Sequence, residues 1–83
     1  MKIKLNFGYN DREDVVADCE EYLKNSNVAY ALEEDEYGQI FVYVMSPWRF
    51  EIKKFVRKFL GEGKSPDWSD IADMIIDENI VQP

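Results

Sequence analysis

The sequence predicts an α+β fold: one small domain over residues 1–83, in the order βαββαα. It is an antiparallel-containing three-stranded sheet with helices packed on one face. Three observations lead there. Met1 to Tyr9 alternates apolar and polar residues, the period of a strand with one dry and one wet face. Residues 10–25 and 46–64 place apolar residues at three- and four-residue spacing, as amphipathic helices do. Between them, residues 28–34 and 39–45 are two β-type runs joined by Asp35-Glu36-Tyr37-Gly38, a connector with the polar and glycine content of a hairpin. A chain of 83 residues with 46% hydrophobic content can bury one core without disulfides or metals.

In the first strand Ile3, Leu5, Phe7 and Tyr9 point one way and Lys2, Lys4 and Asn6 the other. Asn10 and Glu13 form a capping-box pattern, and Asp11, Glu13 and Asp14 suit the positive end of the helix that follows. Its buried stripe is predicted as Val15, Val16, Cys19, Tyr22 and Leu23. The first hairpin arm alternates Val28, Tyr30 and Leu32 against Ala29, Ala31 and Glu33. The second, QIFVYVM, is apolar on both faces, which predicts a central strand or one covered by a side element.

Ser46 to Lys64 reads as a basic helix in an acidic protein. Ser46 suits the N-cap, Pro47 the first helical position, and Gly61 and Gly63 the stop. Trp48, Ile52, Phe55, Val56, Phe59 and Leu60 fall on one face, predicted buried. Arg49, Lys53, Lys54, Arg57 and Lys58 fall opposite, with Phe50 among them. A second Ser-Pro start at Ser65-Pro66 introduces a last helix over 67–78. There Trp68, Ile71, Ala72 and Ile75 are predicted buried, and Asp70, Asp73 and Asp77 form the outer stripe. Ile80-Val81 is left to extend that helix, form a short edge strand or fray. The first five elements match a split-βαβ, ferredoxin-like layout. The final strand is missing or reduced to Ile80-Val81, a truncated version of that layout.

The net charge of −7 is unevenly spread: −6 over residues 1–36, +4 over 37–64 and −5 over 65–83. The overall sign weighs against direct nucleic-acid binding, which needs phosphate neutralisation by Lys and Arg. It suits a basic protein partner. The cations of the basic helix are expected chiefly to balance carboxylates within the domain. Phe50, set among them, is a candidate contact residue, since aromatic residues and arginine are enriched at binding hot spots.

Catalytic chemistry is poorly represented. There is no histidine, so the commonest general base and most zinc sites are excluded. Cys19, the single cysteine, falls on an apolar stripe and is expected to act as a small buried hydrophobe. The four glycines form neither a Walker pattern nor a dinucleotide fingerprint. Aligning Gly38 with the glycine of a calcium loop puts Val44 where the bidentate glutamate belongs. On the RNA-recognition consensus Gly38, Phe41 and Val42 fit, but Gln39 and Val44 stand where aromatics belong. No cofactor, metal or small-molecule substrate is predicted. The single cysteine and the lack of a membrane-length apolar run make cytoplasmic residence the default.

The profile is short, acidic, aromatic-rich and without catalytic residues. In composition it resembles inhibitors carried by phages and mobile elements, including anti-CRISPR and anti-restriction proteins. That resemblance implies a non-enzymatic inhibitor that blocks a basic, nucleic-acid-handling protein by imitating a phosphate backbone. The candidate partner-binding residues are Glu33, Glu34, Asp35, Glu36, Asp70, Asp73, Asp77 and Phe50. The alternatives are a nucleic-acid-binding module using the basic helix over 47–60, and a structural domain that assembles through a sheet edge or apolar patch.

Overall fold

The computed structural model describes residues 1–9, 13–60 and 68–81, the side chains of Glu13, Trp68 and Ser69 excepted. The elements are β1 (Lys2–Tyr9), α1 (Glu13–Asn25), β2 (Ala29–Glu34), β3 (Gln39–Met45), α2 (Arg49–Leu60) and α3 (Trp68–Glu78). The strands form one sheet in the order β1-β3-β2, with β3 antiparallel to both neighbours. This is the predicted α+β architecture, with QIFVYVM as the central strand.

The ladder can be followed residue by residue. Met1 and Ser46 exchange main-chain bonds, both at 2.9 Å. Bonded and non-bonded pairs alternate in an antiparallel ladder. The main-chain groups of Lys2 and Lys4 therefore face away from β3. There Lys4 N–H donates to the Asn79 carbonyl at 3.0 Å and Val81 N–H donates to the Lys2 carbonyl at 2.9 Å. Ile80 bridges Ile3 antiparallel. The fourth strand of the split-βαβ layout is thus reduced to a two-residue clasp on β1. On the other side, Asp35 N–H donates to the Gln39 carbonyl at 3.0 Å, and the β2–β3 register runs unbroken from Glu34↔Ile40 to Ala29↔Met45. The same alternation turns the main-chain groups of Tyr30 and Leu32 outward.

The core lies between one sheet face and the helices. Ile3, Leu5 and Phe7 of β1 and Val42 and Val44 of β3 meet Val16, Cys19 and Leu23 of α1, Ile52, Phe55 and Val56 of α2, and Ala72 and Ile76 of α3. Phe55 is fully buried, with ring centroids 6.5 Å from Phe7, 6.2 Å from Tyr22 and 5.1 Å from Phe59.

Several predicted core positions lie elsewhere. Tyr9 is exposed because the β1–β3 register shifts between Asn6 and Tyr9. Gly8 there takes φ 83° and donates its N–H to Asn6 Oδ1 at 2.7 Å, breaking the two-residue alternation. Val15 is exposed, so the α1 stripe narrows to Val16, Cys19 and Leu23, with Tyr22 at its margin. Leu60 is exposed at the end of α2. In α3 the buried pair is Ala72 and Ile76, whereas Ile71 is exposed and Ile75 half-buried. That rotation points the neighbouring Asp73 and Asp77 at cations on α2. The Asn10–Glu13 capping box, the Gly61 and Gly63 stop, the Ser65-Pro66 start and the Trp68 side chain lie outside the described residues.

Glycine enters left-handed backbone without the strain a Cβ imposes, about 1–2 kcal/mol per residue. Gly8→Ala is therefore expected to cost about that much, read as a lower urea midpoint with an unchanged denaturant slope. An unchanged midpoint would show that the kink in β1 does not need glycine.

Candidate functional site

The most exposed large apolar surface on α2 is at its start. Ser46 is buried at the end of β3. Its hydroxyl oxygen accepts the Trp48 N–H at 3.0 Å and its O–H donates to Glu51 Oε1 at 3.1 Å. The helix begins at Arg49, so Trp48 precedes it and does not follow its periodicity. This corrects the prediction that Trp48 is buried: it is 57% exposed, and Phe50 beside it is 60% exposed. Their ring centroids are 6.4 Å apart. An open groove of about 390 Å³ runs from these rings past Lys54 and Tyr22 to Val28, the residue before β2.

The basic face of α2 is largely engaged. Arg49 Nη2 lies 3.2 Å from Asp73 Oδ1 and 3.0 Å from Asp77 Oδ1, and also donates to the Asp73 carbonyl at 3.3 Å. Lys53 Nζ lies 3.0 Å from Asp73 Oδ2. Lys58 stands 5.8 Å from the centroids of both Tyr22 and Phe59. Among the described residues Lys54 and Arg57 form no ion pair, and both are exposed. The stripe of α3 is therefore partly internal: Asp73 is half-buried between two cations, Asp77 is tied to Arg49, and Asp70 stands exposed in the first turn.

The hairpin carboxylates divide similarly. Asp35 shapes the turn, its Oδ1 accepting the N–H groups of Tyr37 at 2.9 Å and Gln39 at 2.8 Å, while Gly38 takes φ 83°. Glu33 lies 3.7 Å from Lys4 Nζ and accepts the Tyr43 hydroxyl at 3.3 Å. Glu34 and Glu36 are exposed. The tetrad lies at the β2–β3 end of the sheet, whereas α3 packs on α2 and its end clasps β1. The two acidic groups thus do not merge into one row. Phe50 is brought together with Trp48, not with either of them.

The sheet face away from the helices carries Phe41, Tyr43 and Met45 opposite Asn6, Lys4 and Lys2. Lys4 Nζ stands 4.4 Å from the Phe41 centroid and 5.4 Å from that of Tyr43, and Lys2 Nζ 5.0 Å from Tyr43. These ammonium groups and their alkyl stems cover rings that would otherwise be wet. That is how a central strand apolar on both faces survives on a sheet with helices on one side.

Compared with protein-family models, curated proteins and solved structures, the chain matches none. No helix among the described residues is long and apolar enough to cross a membrane.

Two group-specific outcomes follow. Burial above all, with Asp18 adding, pushes the Cys19 thiol up to about 12. A thiol reagent is expected to modify native Cys19 only on unfolding, with a rate tracking urea; rapid reaction in buffer would contradict this. Lys53 above all, with Arg49 adding and loss of hydration opposing, holds the Asp73 carboxyl below the ordinary aspartate range. Its contribution is complete above the unfolded-state value and is lost as pH falls through the lowered folded value. Asp73→Asn is expected to melt earlier than the parent at pH 7. The gap should close as the pH falls through that lowered value; a constant gap would point to packing instead.

Proposed function

We propose that this chain is a non-enzymatic protein-binding inhibitor that docks on a basic, nucleic-acid-handling partner. Trp48 and Phe50 supply the contact, and the acidic surface supplies attraction. The observation that supports this is the pair of adjacent exposed rings at the start of α2, held from beneath by the buried Ser46. Neither ring belongs to the buried core formed by the described residues. Rigid aromatic side chains beside a groove are the usual anchors of an interface. The −7 charge favours a partner of opposite sign and speeds encounter with it.

The phosphate-imitation form of this reading draws on Glu36, Asp70 and the exposed carboxylates of α1 rather than on Asp35 and Asp73, which are engaged within the fold. It is the mode expected of the phage and mobile-element inhibitors that the composition resembles. The alternative of nucleic-acid binding through the basic helix loses support, because Arg49 and Lys53 are spent on α3.

The test compares the parent chain with the Trp48→Ala/Phe50→Ala double variant, each immobilised in the same cell lysate. A basic nucleic-acid-binding protein should be retained by the parent and released by salt. Binding of that protein to the double variant should be at least about thirty-fold weaker, the equivalent of one hot spot near 2 kcal/mol. The variant's own urea midpoint should hardly move, since exposed substitutions usually fall within about 0.5 kcal/mol. Equal retention by both chains would remove the aromatic pair from the contact. Retention of no basic protein would sink the reading as a whole.

A further inference from the structure

The two edges of the sheet are treated differently. Beyond β1, the Lys4 N–H and the Lys2 carbonyl are taken by Asn79 and Val81, the strand is kinked at Gly8, and Lys2 and Lys4 lie along it. Each of these devices blocks edge-to-edge pairing. The β2 edge has none of them. Its sequence, AYALEE, contains no proline, lysine or glycine, and its register with β3 is unbroken. The Val28 N–H is satisfied by the Leu23 carbonyl at 3.1 Å, but the described residues contribute no main-chain bond to the outward groups of Tyr30 and Leu32. Leu32 is 41% exposed, and Ala29 and Ala31 present small side chains on the opposite face.

We infer that β2 is a strand-addition site for an extended, basic segment of a partner protein. Main-chain bonds to Tyr30 and Leu32 would supply the pairing, and apolar side chains of the segment would cover Leu32. The charge of the edge selects the occupant. Glu33 stands near the end of the strand on one face, and on the other Glu20 of α1 accepts the Tyr30 hydroxyl at 3.1 Å. Against them stand Lys4, at 3.7 Å from Glu33, and Lys24, four residues beyond Glu20 on α1. Lysine or arginine on both faces of an added strand would meet carboxylates on both sides. A second copy of this chain would bring two molecules of charge −7 together. The inference shares with the proposed function only the basic character of the partner.

The probe is an eight-residue capped peptide alternating lysine with valine, added to the isotope-labelled full chain and followed by amide exchange. Binding should slow exchange at Tyr30 and Leu32 at least about ten-fold, while Ala31 and Glu33, already bonded to β3, change little. A copy N-methylated at alternate residues, or one with glutamate for lysine, should give no protection. Protection should persist in the Trp48→Ala/Phe50→Ala variant, which separates this site from the aromatic contact. The inference fails if millimolar lysine peptide leaves both amides unprotected, or if shifts appear only around Trp48 and Phe50. It also fails if the peptide-free protein already protects both amides and sediments as a dimer, which would assign the edge to a second copy.

Discussion

The contacts of the Phe55 ring join the parts of this fold that the backbone leaves separate. It comes from α2, lies 6.5 Å from Phe7 on β1 and 6.2 Å from Tyr22 on α1, and is fully buried. Hydrogen bonding holds the strands to one another, but α2 is held to the sheet by its buried side chains. Truncating a buried phenylalanine typically costs about 3–5 kcal/mol, much of the roughly 5–15 kcal/mol that keeps a domain folded. With α2 fixed by Phe55, Ile52 and Val56, the start of the helix is fixed too. Ser46 at the strand end then has one place to sit, and Trp48 and Phe50 are held outward from it.

α3 is held in a different way. It buries Ala72 and Ile76, and the same orientation brings Asp73 and Asp77 to Arg49 and Lys53 of α2. Partly exposed ion pairs are individually weak. Here they accompany a turn of the helix that buries Ala72 and Ile76 and leaves Ile71 exposed. The clasp of Ile80 and Val81 on β1 fixes its far end.

The periodicities in the sequence carried most of the architecture. Period two in β1 identifies a strand with one dry and one wet face, the doubly apolar β3 fits the central strand, and helical spacing locates Phe55, Val56 and Leu23 in the core. Spacing failed where the backbone leaves its regular path. Tyr9 follows a kink at Gly8, and Trp48 sits ahead of a helix that begins later than the Ser46-Pro47 pair suggests. A polar hydroxyl two residues before an N–H can close a turn as well as cap a helix, and local sequence does not choose between them. Stripe margins such as Val15, Leu60 and Ile71 depend on which neighbour arrives, which a single helical wheel does not contain. Phe50 stood out as an aromatic among cations and is exposed. Its companion Trp48 was hidden by the same wheel that singled out Phe50.

The pairing of α2 with α3 also has an electrostatic consequence for the whole molecule. α2 holds five cations and one carboxylate, and α3 holds four carboxylates, so the two helices together are neutral. Among the described residues the surplus negative charge therefore resides on α1 and the β2–β3 hairpin, whose described side chains include eight carboxylates against Lys24. The protein is thus a dipole as well as an anion. In the field of a positively charged surface it experiences a torque that turns α1 and β2 forward before contact. Salt then governs the orientation of encounter as well as its strength, since both are screened over about 8 Å at physiological ionic strength.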